Sequence, residues 1–202
     1  MKEKIIEKAC ELFLNLGFKS VTMDDLANEM GISKKTIYQY FENKSTLVEA
    51  TTQQVFESVC TGIDCIRHTH ENPIKELFEI NNFVKEFLKD EKASPQYQLQ
   101  KYYPKTFKTL KNNQFNMMVG CVTENLNTGI NLGLYRPEIK PAIIARIYFL
   151  GASGIRDQEL FPSQEFNFSV LLNEFLEYHL RGIVTKKGEK ELTQHINQIH
   201  NS

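Results

Sequence analysis

Apolar residues recur through the first sixteen positions at Ile5, Ala9, Leu12, Phe13 and Leu16. That rhythm draws one stripe along a helix and leaves the other faces to charge and amide. Gly17 ends it. Thr22 opens a second, short helix: its hydroxyl can take up free amides of the first turn, and Asp25 stands where a capping-box carboxylate belongs, shorter than the usual Glu. Leu26, Ala27 and Met30 face inward, and Gly31 supplies the turn. Ser33 caps a third helix over 34–41, with Ile37 and Phe41 one turn apart on its buried side. Asn43 caps a fourth over 44–69, in which Leu47, Val48, Thr51, Val55, Val59, Ile63 and Ile66 keep helical spacing until Asn72-Pro73 breaks it. At 1.5 Å per residue that helix measures about 39 Å. Further helices are predicted over about 74–90, 94–103, 105–131, 140–157 and 168–184, bounded by Ser94-Pro95, Tyr103-Pro104, the turn Gly133 to Pro137, and Phe161-Pro162. No stretch alternates strictly, so the chain reads as all-α. The polar stretch after Lys186, with only Leu192, Ile196 and Ile199 apolar, is expected to fray.

Composition narrows the picture. The 202 residues are 41% hydrophobic and 24% charged, values of an ordinary globular protein with one large domain or a small module on a larger body. Lys plus Arg is 24 and Asp plus Glu is 25, so a nucleic-acid partner must be met by a local patch. Cysteines are sparse and the N-terminus is amphipathic, which points to a reducing cytoplasm. No apolar run approaches the roughly 18 residues a membrane span needs, and the richest, 142–152, is broken by Arg146. Cys60, Cys65, His68 and His70 lack a metal-binding frame, because the spacing of five from Cys60 to Cys65 points the thiols apart. We expect no metal and no cofactor. The run Gly151-Ala152-Ser153-Gly154-Ile155 falls short of G-x-S-x-G and sits in a helical pattern, so an enzyme is not expected.

The informative segment is TMDDLANEMGISKKTIYQYFENK, residues 22–44. Two short capped helices joined by a tight turn are what a helix-turn-helix requires, the first bracing the second so that its outer face enters the major groove. With Ile37 and Phe41 buried, Lys34, Lys35, Thr36, Tyr38, Gln39 and Tyr40 are left for the outer and flanking faces, and such side chains suit phosphates and base edges.

The run GISKKTIYQYFENKSTL resembles the TetR (tetracycline-repressor) family signature, matching at Gly31, Ser33, Thr36, Tyr38, Phe41, Lys44 and Leu47. Downstream, Gly133 to Ile139 is similar to a turn that precedes the dimerisation helices of that family. Lys35 stands where many members carry a small residue or Pro. The resemblance implies an N-terminal three-helix helix-turn-helix DNA-binding domain over 1–46 and a larger helical effector-binding and dimerisation domain over 47–202. Thr22 and Lys44 would then meet phosphates, Lys34, Lys35 and Thr36 would lie nearest the base edges, Tyr38 and Tyr40 would bring phenols to backbone phosphates or a thymine methyl, and Ser33 and Gln39 join them as DNA-binding candidates.

Residues 1–50 carry seven Lys and no Arg against eight acidic groups, so one module alone binds weakly. A homodimer on a palindromic operator answers this, with two heads about 34–36 Å apart in successive major grooves. The candidate interface is Ile143, Ile147, Leu150, Gly151 and Gly154 on one helix and Leu171, Leu172, Phe175 and Leu176 on the next, pairing as a four-helix bundle. Phe83, Phe87, Tyr103, Phe107, Phe115 and Tyr148 are candidates to line a pocket for a small apolar or aromatic effector. The expected function is sequence-specific transcriptional regulation, as a repressor released by its effector. An activator, a ligand-independent regulator of the same fold, and a helical interaction protein stay open.

Overall fold

The computed structural model describes residues 1–69, 72–88 and 95–200. Its helices are α1 (Lys2–Leu16), α2 (Met23–Met30), α3 (Lys34–Tyr38), α4 (Lys44–Thr69), α5 (Pro73–Leu88), α6 (Pro95–Tyr102), α7 (Pro104–Asn131), α8 (Pro141–Gly154), α9 (Phe168–Ile183) and α10 (Lys186–His200). Among the described residues, strand-like pairing is confined to one isolated bridge, Tyr135 to Val184. No described helix is long and apolar enough to cross a membrane. The chain forms two compact units, residues 1–61 with 87–114 and residues 62–86 with 115–202. That division differs from the 1–46 and 47–202 expected from sequence, because Leu47, Val48 and Leu99 all belong to the core of the first unit.

In the first unit the helix starts are closed by their own side chains. The Thr22 hydroxyl accepts from the Asp25 amide at 3.1 Å and Asp25 Oδ2 accepts from the Thr22 amide at 2.8 Å, so both halves of the capping box form with Asp in place of Glu. Ser33 Oγ accepts from the Thr36 amide at 3.1 Å, and Asn43 Oδ1 from the Thr46 amide at 3.0 Å. Gly31, at φ 62°, makes the left-handed turn between α2 and α3. The α1 stripe is buried except for Leu16, which is exposed. The helix stops there, and Phe18 and Val21 of the following loop fill the core in its stead. The third helix is also shorter than predicted, ending at Tyr38, with Phe41 still reaching the core from the turn beyond.

α6 completes this unit. Leu99 is buried in its core, with Tyr103, Phe107 and Leu110 packed around it. The Lys19 amide donates to Gln98 Oε1 at 3.1 Å. Gly17, at φ 87°, leaves the space that the Gln98 side chain occupies.

In the second unit, the turn after α7 ties the C-terminal helices to α5. Gly129 lacks the Cβ that would overlap the Tyr135 ring. That ring is fully buried, and its hydroxyl donates to Asn125 Oδ1 at 3.1 Å. Asn125 Nδ2 in turn donates to the Pro73 carbonyl and to Glu76 Oε1, both at 2.9 Å. The Arg136 amide donates to the Ile183 carbonyl and the Thr185 amide to the Leu134 carbonyl, each at 2.9 Å, and the Thr185 hydroxyl donates to the Gly133 carbonyl at 2.8 Å.

The expected frayed tail is instead the helix α10. Its composition is polar, but Leu192 is fully buried with Ile196 beside it on the second core, and the Gly188 amide donates to Thr185 Oγ1 at 3.2 Å. Two apolar residues one turn apart are enough when a prepared surface receives them. Leu192→Ala is therefore expected to lower stability by about 2–5 kcal/mol in denaturant unfolding, where a solvated tail would give no change.

Candidate nucleic-acid interface

Ile37 is fully buried and Phe41 nearly so, which fixes the rotation of α3 and turns Ser33, Lys34, Lys35, Tyr38, Gln39 and Tyr40 to solvent. The side chains of Lys35, Tyr38 and Gln39 have no hydrogen-bond partner among the described residues, so their polar groups are available to a ligand. Exposed phenols at 44% and 43% for Tyr38 and Tyr40 leave apolar ring area in water, an arrangement typical of a contact surface.

Other candidates are already engaged. Ser33 Oγ lies 2.8 Å from Thr36 Oγ1 within the cap. Lys34 Nζ donates to Asp24 Oδ2 at 2.7 Å, and this contact raises the lysine pKa. Both groups are solvated, so the pair is weak and exchangeable for a phosphate. The Thr22 hydroxyl donates to Asp25 Oδ2 at 2.8 Å, leaving the α2 amides rather than the hydroxyl for an anion. The Thr22 amide and hydroxyl hold the Asp25 carboxyl below its usual range. Lys44 Nζ points at the Lys19 carbonyl, 3.4 Å away, and lies 6.0 Å from the Phe13 ring centroid. Burial lowers its pKa against the pull of Asp25.

A cleft of about 380 Å³ opens beside Tyr40, between the start of α4 and the first turns of α7, where Thr46, Glu49, Thr106 and Leu110 form its walls. None of the six rings expected to line an effector pocket borders it. Those six fall into different units. Tyr103 and Phe107 pack, partly buried, against the core of the first unit, and Phe87 belongs to that unit too. Phe83, Phe115 and Tyr148 belong to the second. There Phe115 meets Phe149 edge to face at 5.1 Å between centroids, and Tyr148 stands 5.2 Å from Phe175 and 4.7 Å from His179. His179 escaped the sequence reading, although its spacing of four from Phe175 puts both on one helical face. Its Nε2 is buried without a hydrogen-bond partner, and burial lowers its pKa to about 4.

The interface candidates also separate. Ile143, Ile147 and Leu150 form an exposed apolar face on α8, with Leu150 at 68%. Gly154 meets open space, whereas Gly151 accommodates the Phe175 ring of the same chain. On α9, Leu172 and Leu176 are buried at 8% and 1%, which removes them as interface residues. Val170 and Tyr178 hold the exposed positions instead. Leu171 and Phe175 are half-buried. Of the four residues weighed and rejected as a metal frame, His70 lies outside the described residues. Among the described residues no group of three or more His, Cys, Asp or Glu could hold a metal ion.

Residues 5–51 match the family described as bacterial regulatory proteins, tetR family. The chain is 30% identical over 90 residues to the biofilm operon icaADBC HTH-type negative transcriptional regulator IcaR of Staphylococcus aureus (strain Newman), covering 45% of this chain and 47% of that protein. It thus spans about half the length of the curated relatives it matches. Among solved structures, a putative transcriptional regulator from Saccharomonospora viridis in complex with choline superposes with a TM-score of 0.75 at 18% identity, covering 92% of this chain and 98% of that one. SmeT, the repressor of the Stenotrophomonas maltophilia multidrug efflux pump SmeDEF, does so at 0.69 and 16%, covering 92% and 91%. At these identities the likeness shows the fold.

The buried imidazole makes a pH prediction. Its folded pKa lies below the ordinary 6.5, so the unfolded chain takes up the proton first and stability is lost as pH falls from 6.5 towards about 4, by at most about 1.4 kcal/mol per pH unit. Thermal melts of His179→Phe should show a flatter decline between pH 6.5 and 5 than wild type. His195, whose pKa is also lowered by burial, stays in both proteins and cancels in the comparison.

Proposed function

We propose that this chain, whose residues 5–51 match the tetR family of bacterial regulatory proteins, binds palindromic operator DNA as a homodimer in the cytoplasm and represses transcription until a small effector releases it. The carrying observation is α3: a polar, phenol-bearing face held outward by Ile37 and Phe41, next to a braced α2 and a tight glycine turn. That is the geometry for insertion of a recognition helix into the major groove. The matching relative from Staphylococcus aureus is named a negative regulator and SmeT a repressor, which favours repression as the sign.

Dimerisation is supported by the exposed apolar face of α8 and α9, formed by Ile143, Ile147, Leu150, Val170 and Tyr178. Such a face is costly in water and is covered in an isologous pairing. Effector release is supported by the ring cluster of Tyr148, Phe175 and His179, whose unpartnered imidazole nitrogen can anchor an otherwise apolar or planar ligand. A ligand that favours a body conformation with misplaced heads opposes DNA by linkage.

Two measurements test this. Tyr38→Ala and Lys35→Ala should each weaken operator binding by about 1–3 kcal/mol with an unchanged melting temperature. A helical interaction protein would show no duplex binding to lose. Ile147→Glu should sediment as a folded monomer and bind the palindrome about a hundredfold more weakly or worse. A variant that stays dimeric would reject this face.

A further inference from the structure

The head carries too little positive charge for its proposed partner, since residues 1–50 have one more acidic group than lysines. Non-specific affinity for a duplex comes mainly from phosphate neutralisation. The missing charge lies half a chain away, and the fold brings it to the same unit. Residues 95–114 hold Lys101, Lys105, Lys108 and Lys111 and no acidic residue. All four lysines are exposed.

α6 is fastened to the loop between α1 and α2 by Gln98 and Leu99. Two ammonium groups thereby converge on one ring: Lys19 Nζ lies 5.3 Å and Lys101 Nζ 5.6 Å from the Tyr102 centroid. Lys101 Nζ is also 5.5 Å from the Tyr97 centroid and donates to its phenol oxygen at 3.4 Å. Among the described residues neither ammonium faces a carboxylate. The ring quadrupole steadies such cations by about 0.5–1 kcal/mol at an exposed site but does not neutralise them, so both charges stay available to an anion. Tyr97 is 54% exposed, and its hydroxyl adds a donor suited to a phosphate oxygen. The location fits as well: Lys44 bonds the Lys19 carbonyl, and Thr22 follows three residues later in the same loop.

We propose that Lys19 and Lys101, steadied by Tyr102 and Tyr97, form a second phosphate-binding station that grips the DNA backbone outside the stretch read by α3. It rests on the DNA-binding reading above and adds affinity without sequence preference, because backbone contacts carry no base information. The station explains exposed aromatics that serve no core, and it supplies neutralising charge that the helix-turn-helix lacks.

The test is the salt dependence of full-length protein binding to a long duplex of mixed sequence. In Lys19→Gln/Lys101→Gln the slope of log affinity against log salt should fall by about two for each head that engages. The melting temperature should not change, because both side chains are exposed. The control Lys186→Gln/Lys190→Gln removes the same charge from α10 and should leave the slope unchanged. A control that lowers the slope equally would overturn the station in favour of net charge. A double variant with wild-type slope, in a protein whose binding Tyr38→Ala still weakens, would overturn the station and leave the head reading intact. Absence of duplex binding by wild type at low salt would overturn both.

Discussion

A helix of five residues has no stability of its own, since isolated helices shorter than about 12–15 residues are marginal in water. α3 exists because Ile37 is held in the core of the first unit and because Gly31 and Ser33 fix its entry. Burying such a side chain contributes about 1.5–3 kcal/mol, more than the few hydrogen bonds of so short an element can supply. The same anchor decides function. It permits one rotation of the helix, and that rotation presents Lys35, Tyr38 and Gln39 outward. Stability of the first unit and presentation of this outward polar face are thus one interaction seen from two sides.

Local chemistry was legible in the sequence. Thr22, Ser33 and Asn43 cap the helices that follow them, and Gly31 turns the chain where its neighbours require, because each of these contacts spans three residues or fewer. Long-range placement was not. Nothing near Gln98 announces that it will meet Lys19, seventy-nine residues earlier, so the packing of Tyr103 and Phe107 on the first core was not foreseen. Periodicity told which residues of α9 share a face but not which face the rest of the chain would cover. Leu172 and Leu176 therefore looked like an interface and proved to be interior. α10 was missed for a related reason: its two apolar anchors are too few to signal a helix until the surface that receives them is known.

The polar groups buried in the second unit divide into satisfied and unsatisfied. Asn125 spends its amide on the Pro73 carbonyl and Glu76 and accepts from Tyr135, a closed network that fixes the turn between α7 and α8 relative to α5. His179 is the exception among the described residues, a nitrogen shut among rings with nothing to bond. Buried groups of that kind cost about 1–3 kcal/mol. The body keeps this one in an otherwise aromatic neighbourhood.

The position of Leu192 has a consequence for biosynthesis. It shares a core with Ile74 and Leu77, residues translated more than a hundred codons earlier. At about 5–20 residues per second, the ribosome leaves those apolar side chains waiting for several seconds before their last partner emerges. The first unit, whose pieces are all made by residue 114, can close while the second is still being threaded out. The nascent chain therefore passes through a stage with a finished reading head and an open, adhesive body, the stage at which chaperone attendance matters most.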